Sequence, residues 1–251
     1  ACERNRFRRP NVAFRVTKST PDKVLLAALQ ALSKGSGRPP LYNDDLYVET
    51  LLGLDLGLTP EDAREIGFGG CTETMIAGLS NVGSLEGEIN LAKALELALF
   101  DGYDPMHKEQ VGPHTGRFAR FATFADFMNA VKRQIQFQTD TFVARDQVLL
   151  RKRFSHGDPK IARTMFTRDC VKRHQAFENG GARYNWAVVS YQGIANLIDG
   201  LAAIRKCIFE DGAIERETLM RALIADYDGF DTIRRQLLAA PKFGNDNPYV
   251  D

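Results

Sequence analysis

One cysteine of this chain stands in a glycine-rich stretch beside an acidic residue. Cys71 follows Gly67, Gly69 and Gly70, and Glu73 comes two residues later. Glycine permits backbone conformations that other residues cannot adopt, and it lets another chain or a ligand approach closely. A cysteine on such a bend, with a proton acceptor nearby, suits covalent or radical chemistry. The pattern also fits a packed thiol, because free cysteine is among the most buried residue types.

The spacing of Cys71 and Glu73 determines how they could act together. Side chains two residues apart point to the same side of an extended backbone, so both can face one substrate. No histidine lies close to them in sequence, and His107 and His174 are distant. A thiol hydrolase that uses Cys71 with a remote histidine is therefore an alternative, ranked last, and it would need Cys71 as a thiolate.

The sequence before the cysteine predicts alternating strands and helices. Residues 10–16 alternate in apolar character like an interior strand, and a helix is predicted from residue 21 to 34. A second helix is predicted over residues 48–56. Thr59 and Pro60 then begin a short helix with an N-cap and a proline at the first helical position. This succession favours an α/β architecture.

The sequence after the cysteine is dominated by helical patterns. Apolar periodicity predicts a buried helix over residues 85–99 and a long amphipathic helix, or two in series, over residues 124–153. Further helices are predicted near residues 194–209, 217–226 and 230–239. Since no repeat, linker or low-complexity tract divides the chain, we expect residues 1–251 to form a single unit.

Composition excludes several classes of partner. The 251 residues carry 33 Lys and Arg against 32 Asp and Glu, for a formal charge of +1. No overall field would attract nucleic acid or a membrane surface. Apolar stretches are too short to span a bilayer, and the first residues do not resemble a signal peptide, so we expect a cytoplasmic protein. The cysteines are scattered without metal-ligand spacing, which predicts free thiols and no metal site.

The segment Gly70-Cys71-Thr72-Glu73 resembles the active-site cysteine loop of the glycyl radical enzymes, the family of pyruvate formate-lyase, glycerol dehydratase and choline trimethylamine-lyase. Other stretches resemble that family in the same order along the chain: residues 10–16, 43–45, 90–99, 180–185 and 241–246. An ordered set that covers nearly the whole chain is more specific than any single match.

The resemblance implies a fold and a mechanism. The chain would be part of a ten-stranded β/α barrel with the cysteine loop at its centre. A separate activating enzyme, which uses S-adenosylmethionine and an iron-sulfur cluster, would install the glycyl radical, so this chain would bind no cofactor itself. Cys71 would become the thiyl radical that takes hydrogen from a small organic substrate, with Glu73 as general base. We expect Cys71 to be shielded from bulk water.

One departure from the family concerns the radical glycine. The family carries it in a motif Arg-Val-x-Gly followed by Tyr or Phe, and the only Arg-Val here, at Arg15 and Val16, has no glycine in place. We therefore expect the chain to be the central or C-terminal part of the barrel domain, without the N-terminal region and the glycyl radical loop. Alone it should be inactive, and the missing portions would be its partners. A homodimer is compatible with this interpretation.

A second departure concerns the reaction. Thr72 follows Cys71, whereas pyruvate formate-lyase carries two adjacent cysteines. The Cys-x-Glu pattern resembles the eliminating members, in which the glutamate takes a proton from a hydroxyl or similar group of the substrate while a neighbouring group departs. A radical lyase or dehydratase is therefore the preferred interpretation, and the substrate stays open. A formate C-acetyltransferase-like enzyme and an inactive scaffold or binding protein of the same fold are the alternatives.

Four further residues are candidates for substrate binding because they lie in family-like stretches: Arg15, Asn43, Asp45 and Asn185. Each also has a structural interpretation. A turn rich in Asn and Asp is explained by its own hydrogen bonding, and glycine-rich turns such as the one before Asn185 mostly serve close packing.

Overall fold

The structure is a computed structural model that describes residues 12–70, 73–81, 85–155 and 160–251. It divides into two compact units, one of Ala1–Glu86 with Leu149–Val188 and the other of Gly87–Val148 with Val189–Asp251. Each unit is built from two separate stretches of chain, so no linker in the sequence marks the division. Whether residues 1–251 act as a single unit within a barrel domain stays a prediction.

Helices contribute most of the regular structure in the described ranges. In chain order they are α1 (Asp22–Ala31), α2 (Asp44–Gly53), α3 (Pro60–Arg64), α4 (Leu91–Leu99), α5 (Phe124–Ser155), α6 (Ile161–Phe166), α7 (Ile194–Ile204), α8 (Arg216–Ile224) and α9 (Asp231–Leu238). Short π-helical turns, Leu32–Ser36 and Arg205–Glu210, follow α1 and α7, and 3-10 turns occupy Phe118–Arg120 and Phe177–Asn179. Among the helices of the described ranges, none is long and apolar enough to cross a membrane.

The strands are short and pair in twos. They are β1 (Phe14–Val16), β2 (Leu41–Asn43), β3 (Ile66–Phe68), β4 (Thr74–Ile76), β5 (Gly87–Asn90), β6 (Tyr103–Asp104), β7 (Glu109–Gln110) and β8 (Val189–Gln192). Strand β1 pairs in parallel with β2, and β5 with β8, whereas β3–β4 and β6–β7 are antiparallel. The predicted helix-rich α/β class is confirmed, and no ten-stranded barrel is present among the described strands.

Local cap chemistry determines where several helices begin. The Asn43 side chain accepts a hydrogen bond from the amide of Leu46 at the start of α2, and Thr59 accepts one from Asp62 at the start of α3. Asn90 accepts one from the amide of Lys93 at the start of α4. Such caps satisfy amides that have no partner within the helix.

The helix predicted over residues 85–99 is wrong in its first part. Residues 87–90 form strand β5, and the helix begins at Leu91. A contact that is distant in sequence decides this, because Gly87 to Asn90 pair in register with Val189 to Gln192 of β8. Tertiary pairing of this kind overrides local helical periodicity. The long helix predicted from residue 124 is confirmed as α5.

Each unit has its own apolar core. The core of the first unit contains buried Leu51, Ile66, Ile76, Leu79 and Tyr184, with Tyr47, Val48, Leu58 and Trp186 packed against them. In the second unit, the buried face of α4 packs with aromatic side chains that include Phe118 and Phe127. The first core is the one that holds the glycine-rich segment, because Ile66 and Ile76 belong to its two strands.

Candidate active site

The glycine-rich segment forms an antiparallel hairpin. Strands β3 and β4 pair Ile66 with Ile76, Gly67 with Met75 and Phe68 with Thr74. One further hydrogen bond, from the amide of Gly69 to the carbonyl oxygen of Glu73 at 2.8 Å, continues the pairing toward the tip. The hairpin was not predicted, because two three-residue strands interrupted by glycines carry little periodic signal.

Glu73 is buried, with 8% of its surface exposed. Its carboxylate lies against Gly70: a Cβ added at Gly70 would be 2.8 Å from Oε1 and 3.0 Å from Oε2. A Cβ contact of 2.8 Å is too short to persist, so a side chain at position 70 would displace the carboxylate end of Glu73. Glycine before Cys71 lets the acid of Glu73 lie where it does.

Cys71 and Thr72 lie outside the described residues, as do Cys2 and residues 156–159. The prediction that Cys71 is shielded from water therefore stays a prediction. The described residues that flank Cys71 and Thr72 in the chain are Gly70 and Glu73, and the Glu73 carboxylate lies against Gly70.

Arg15 lies on β1 and is held by three groups. Its guanidinium donates from Nε to Asp44 Oδ1, from Nη1 to the carbonyl oxygen of Ile66 at 2.7 Å and from Nη2 to that of Arg64 at 2.8 Å. The planar fork of arginine suits such simultaneous bonding. Arg15 thereby joins strand β1 and helix α2 to the point where the hairpin begins. These contacts give Arg15 a structural role, which is to connect β1 to α2 and to the start of the hairpin. Its role in substrate binding stays a prediction.

Asn43 and Asp45 are exposed and make local hydrogen bonds. Asn43 caps α2 through the amide of Leu46 at 3.1 Å, and Asp45 Oδ2 accepts from the amide of Lys18 at 2.9 Å. These bonds account for the Asn and Asp residues by the chemistry of a turn. Substrate contact by either residue stays a prediction.

Asn185 closes a tight turn in the first unit. Its Nδ2 donates to the carbonyl oxygen of Ala182 at 2.8 Å and to that of Gly180 at 3.3 Å. A Cβ at Gly181 would lie 2.2 Å from the carbonyl oxygen of Gln175. This glycine therefore allows close packing of the backbone, as expected for a glycine-rich turn. Substrate binding by Asn185 is likewise untested.

Charged groups fix the same turn. Arg183 donates to Asp169 Oδ2 at 2.9 Å, and this hydrogen bond lowers the pKa of the Asp169 carboxyl. The hydroxyl of Tyr184 donates to Asp62 Oδ2 at 2.6 Å. Burial, together with that bond to a carboxylate, raises the pKa of Tyr184. The turn is therefore tied to helix α3 on one side and to Asp169 on the other.

Two aromatic residues that the sequence did not single out contact the hairpin directly. The hydroxyl of Tyr47 lies 2.5 Å from Oγ1 of Thr74, and the indole Nε1 of Trp186 donates to the carbonyl oxygen of Thr74 at 3.1 Å. Thr74 follows Glu73 immediately in the chain. No local pattern could have indicated these contacts, because the partners are 27 and 112 positions apart.

The two described cysteines are packed thiols, as predicted. Cys170 is fully buried and Cys207 is 7% exposed, and both are free. Burial raises the pKa of each thiol. Neither has the thiolate character of a nucleophile.

Comparison with known proteins places the chain in a family. The family model of the pyruvate formate lyase-like proteins matches residues 1–251. The trans-4-hydroxy-L-proline dehydratase of Clostridioides difficile is 33% identical over 243 residues, which are 96% of this chain and 30% of that protein. The chain therefore belongs to the pyruvate formate lyase-like family.

Solved structures agree with this assignment. The glycerol-bound B12-independent glycerol dehydratase from Clostridium butyricum matches with a TM-score of 0.82 and 31% identity, over 98% of this chain and 30% of that one. A glycyl radical enzyme from Archaeoglobus fulgidus matches with a TM-score of 0.80 and 27% identity, over 98% and 31%. The resemblance inferred from the cysteine loop is confirmed. The chain spans about 30% of the length of these relatives.

Proposed function

We propose that this chain is the cysteine-loop part of a glycyl radical lyase or dehydratase, with Cys71 as the radical-bearing residue and Glu73 as the general base. The observation that carries the proposal is the setting of Glu73. Its carboxylate is buried and lies against Gly70, within the loop that contains Cys71. A buried carboxylate two positions after a cysteine suits paired removal of a hydrogen atom and a proton.

The proposed reaction divides between the two residues. The Cys71 thiyl takes a hydrogen atom from a substrate carbon, so a C–H bond breaks and an S–H bond forms. Glu73 takes the proton of the hydroxyl, or of a similar group such as an amine, on that carbon, while the group on the neighbouring carbon leaves with its bonding electron pair. The resulting radical, which bears a carbonyl or the corresponding imine, takes the hydrogen atom back from the Cys71 thiol, which regenerates the thiyl.

The surroundings of the reaction are part of the proposal. The parallel pairs β1–β2 and β5–β8 would belong to the ten-stranded barrel of the family, in a cytoplasmic enzyme. A barrel interior suits the chemistry because it excludes water from reactive intermediates. A separate S-adenosylmethionine-dependent enzyme would install the glycyl radical, and this chain would bind no cofactor of its own. The substrate would be a small hydroxylated molecule.

The test uses the complete enzyme that contains this chain, activated without oxygen by its activating enzyme. Glycerol and trans-4-hydroxy-L-proline, the molecules that two relatives are named for, are the first substrates to assay. We expect Cys71→Ser to abolish product formation and Cys207→Ala, which alters a buried thiol elsewhere, to retain it. Turnover by Cys71→Ser at the wild-type rate would refute the proposal.

A further inference from the structure

Thr74 is held from two directions by side chains that are remote in sequence. Its Oγ1 shares a hydrogen bond with the Tyr47 hydroxyl at 2.5 Å, and its carbonyl oxygen accepts one from the Trp186 indole at 3.1 Å. The hairpin pairs Thr74 with Phe68 on a third side. These contacts fix both the side chain and the backbone of Thr74.

The two aromatic residues are themselves held in place. The ring of Tyr47 meets Phe68 edge-on with centroids 5.3 Å apart, and Tyr42 stacks on the same phenylalanine at 3.6 Å. On the other side, the amide of Trp186 donates to Asn81 Oδ1 at 3.0 Å, and its ring stacks with Tyr184. Aromatic contacts of these geometries add to the energy of burial, so they stabilise the clamp that Tyr47 and Trp186 form on Thr74.

Fixing Thr74 sets the direction of Glu73. The two residues share a peptide bond, and the carbonyl oxygen of Glu73 is also bonded to the amide of Gly69. Both restraints act on the C-terminal side of the Glu73 Cα, where they limit the directions open to its side chain, and the carboxylate lies against Gly70. A base that is displaced by about 1 Å can lose on the order of a hundredfold in rate.

We propose that Tyr47 and Trp186 are positioning residues: by hydrogen bonding to Thr74, they fix the position of the Glu73 carboxylate for proton removal. The inference rests on the proposed function of Glu73 and goes beyond it, since neither residue need touch the substrate. It makes the proton-removal step depend on the clamp more strongly than hydrogen abstraction by Cys71 does.

The experiment compares matched variants of the complete activated enzyme. Tyr47→Phe keeps the ring but removes the hydroxyl, Trp186→Phe removes the indole N–H, and Thr74→Val removes the partner oxygen of Tyr47. We expect Tyr47→Phe and Thr74→Val each to lower kcat about tenfold, with KM changed less than about twofold. Because both variants remove the same hydrogen bond, kcat of the Tyr47→Phe/Thr74→Val double variant should be no lower than that of either single variant. Thr74→Ser, which keeps the hydroxyl, should retain activity. Trp186→Phe should lower kcat in the same way.

The control removes a similar bond from the other unit. Tyr191 and Thr139 share a hydroxyl–hydroxyl hydrogen bond at 3.1 Å, so Tyr191→Phe should leave kcat unchanged. The second readout is deuterium exchange between labelled substrate and the enzyme, which reports hydrogen abstraction by Cys71. In the clamp variants this exchange should stay within about twofold of wild type while product formation falls.

The outcomes separate this inference from the proposed function. Loss of product formation in Glu73→Gln together with wild-type kinetics in Tyr47→Phe and Trp186→Phe would overturn the inference alone. An equal fall in exchange and product formation would also overturn it, because the variants would then have damaged the whole loop. Wild-type turnover by both Glu73→Gln and Cys71→Ser would show that the proposed function itself is wrong.

Discussion

The carboxylate of Glu73 lies against the backbone of Gly70, where a Cβ would come within 2.8 Å of Oε1 and 3.1 Å of Cδ. The contact gives a physical reason for glycine immediately before the cysteine. It also means that the position of the acid can be altered without altering the acid itself.

Gly70→Ala should move the Glu73 carboxylate away from the loop. If Glu73 is the base, as proposed, kcat of the complete activated enzyme should fall on the order of a hundredfold, because a displaced base loses its alignment with the substrate proton. The matched control is Gly67→Ala in the same hairpin, because a Cβ at Gly67 would meet nothing within 4 Å. Steady-state kinetics gives kcat for both variants. Equal values of kcat would show that the contact between Glu73 and Gly70 does not affect activity.

Arg15→Lys separates an anchor from a substrate-binding residue. A lysine cannot bond Asp44 and the carbonyl oxygens of Ile66 and Arg64 together, so the free energy of unfolding of the 251-residue chain should fall by about 1–2 kcal/mol. Urea unfolding measures this change, with Arg168→Lys at an exposed position as control. In the complete enzyme, KM should stay within about twofold of wild type. A tenfold rise in KM with unchanged stability would favour the substrate-binding role instead.

The ion pair between Asp169 and Arg183 should make stability depend on acid pH. The hydrogen bond from Arg183 lowers the pKa of Asp169 below its ordinary value of 3.8. The pair therefore stabilises the folded chain above about pH 4, and this contribution is lost as the pH falls through the lowered pKa. Asp169→Asn should melt at a lower temperature than wild type at pH 7, with a smaller difference at pH 3. Thermal unfolding at the two pH values checks this, and a difference that grows toward pH 3 would contradict it.

The parts of the fold that local chemistry determines could be predicted from the sequence. Helix α3 begins where Thr59 and Pro60 predict it, and α5 extends over the amphipathic stretch. Strand β5 could not be predicted, because its pairing with β8 joins residues about a hundred positions apart. The hairpin also escaped prediction, since glycines weaken the alternation of β3 and β4.

The candidate site likewise has features that the sequence shows and features that only the structure shows. Cys71 and Glu73 are two positions apart, so their type and spacing are visible in the sequence. The close contact of Glu73 with Gly70 and the clamp of Tyr47 and Trp186 on Thr74 depend on the folded backbone. Local sequence therefore indicates the candidate reacting groups, and the tertiary structure determines how Glu73 is held.

The proposed roles of Cys71 in hydrogen abstraction and Glu73 in proton removal are tested most directly by Glu73→Gln in the complete activated enzyme. The amide keeps the size and hydrogen bonding of the acid but cannot accept the proton, so elimination should fall on the order of a hundredfold or more. The proposal assigns hydrogen abstraction to Cys71, so deuterium exchange with labelled substrate should persist near the wild-type rate. Elimination by Glu73→Gln at the wild-type rate would contradict the account.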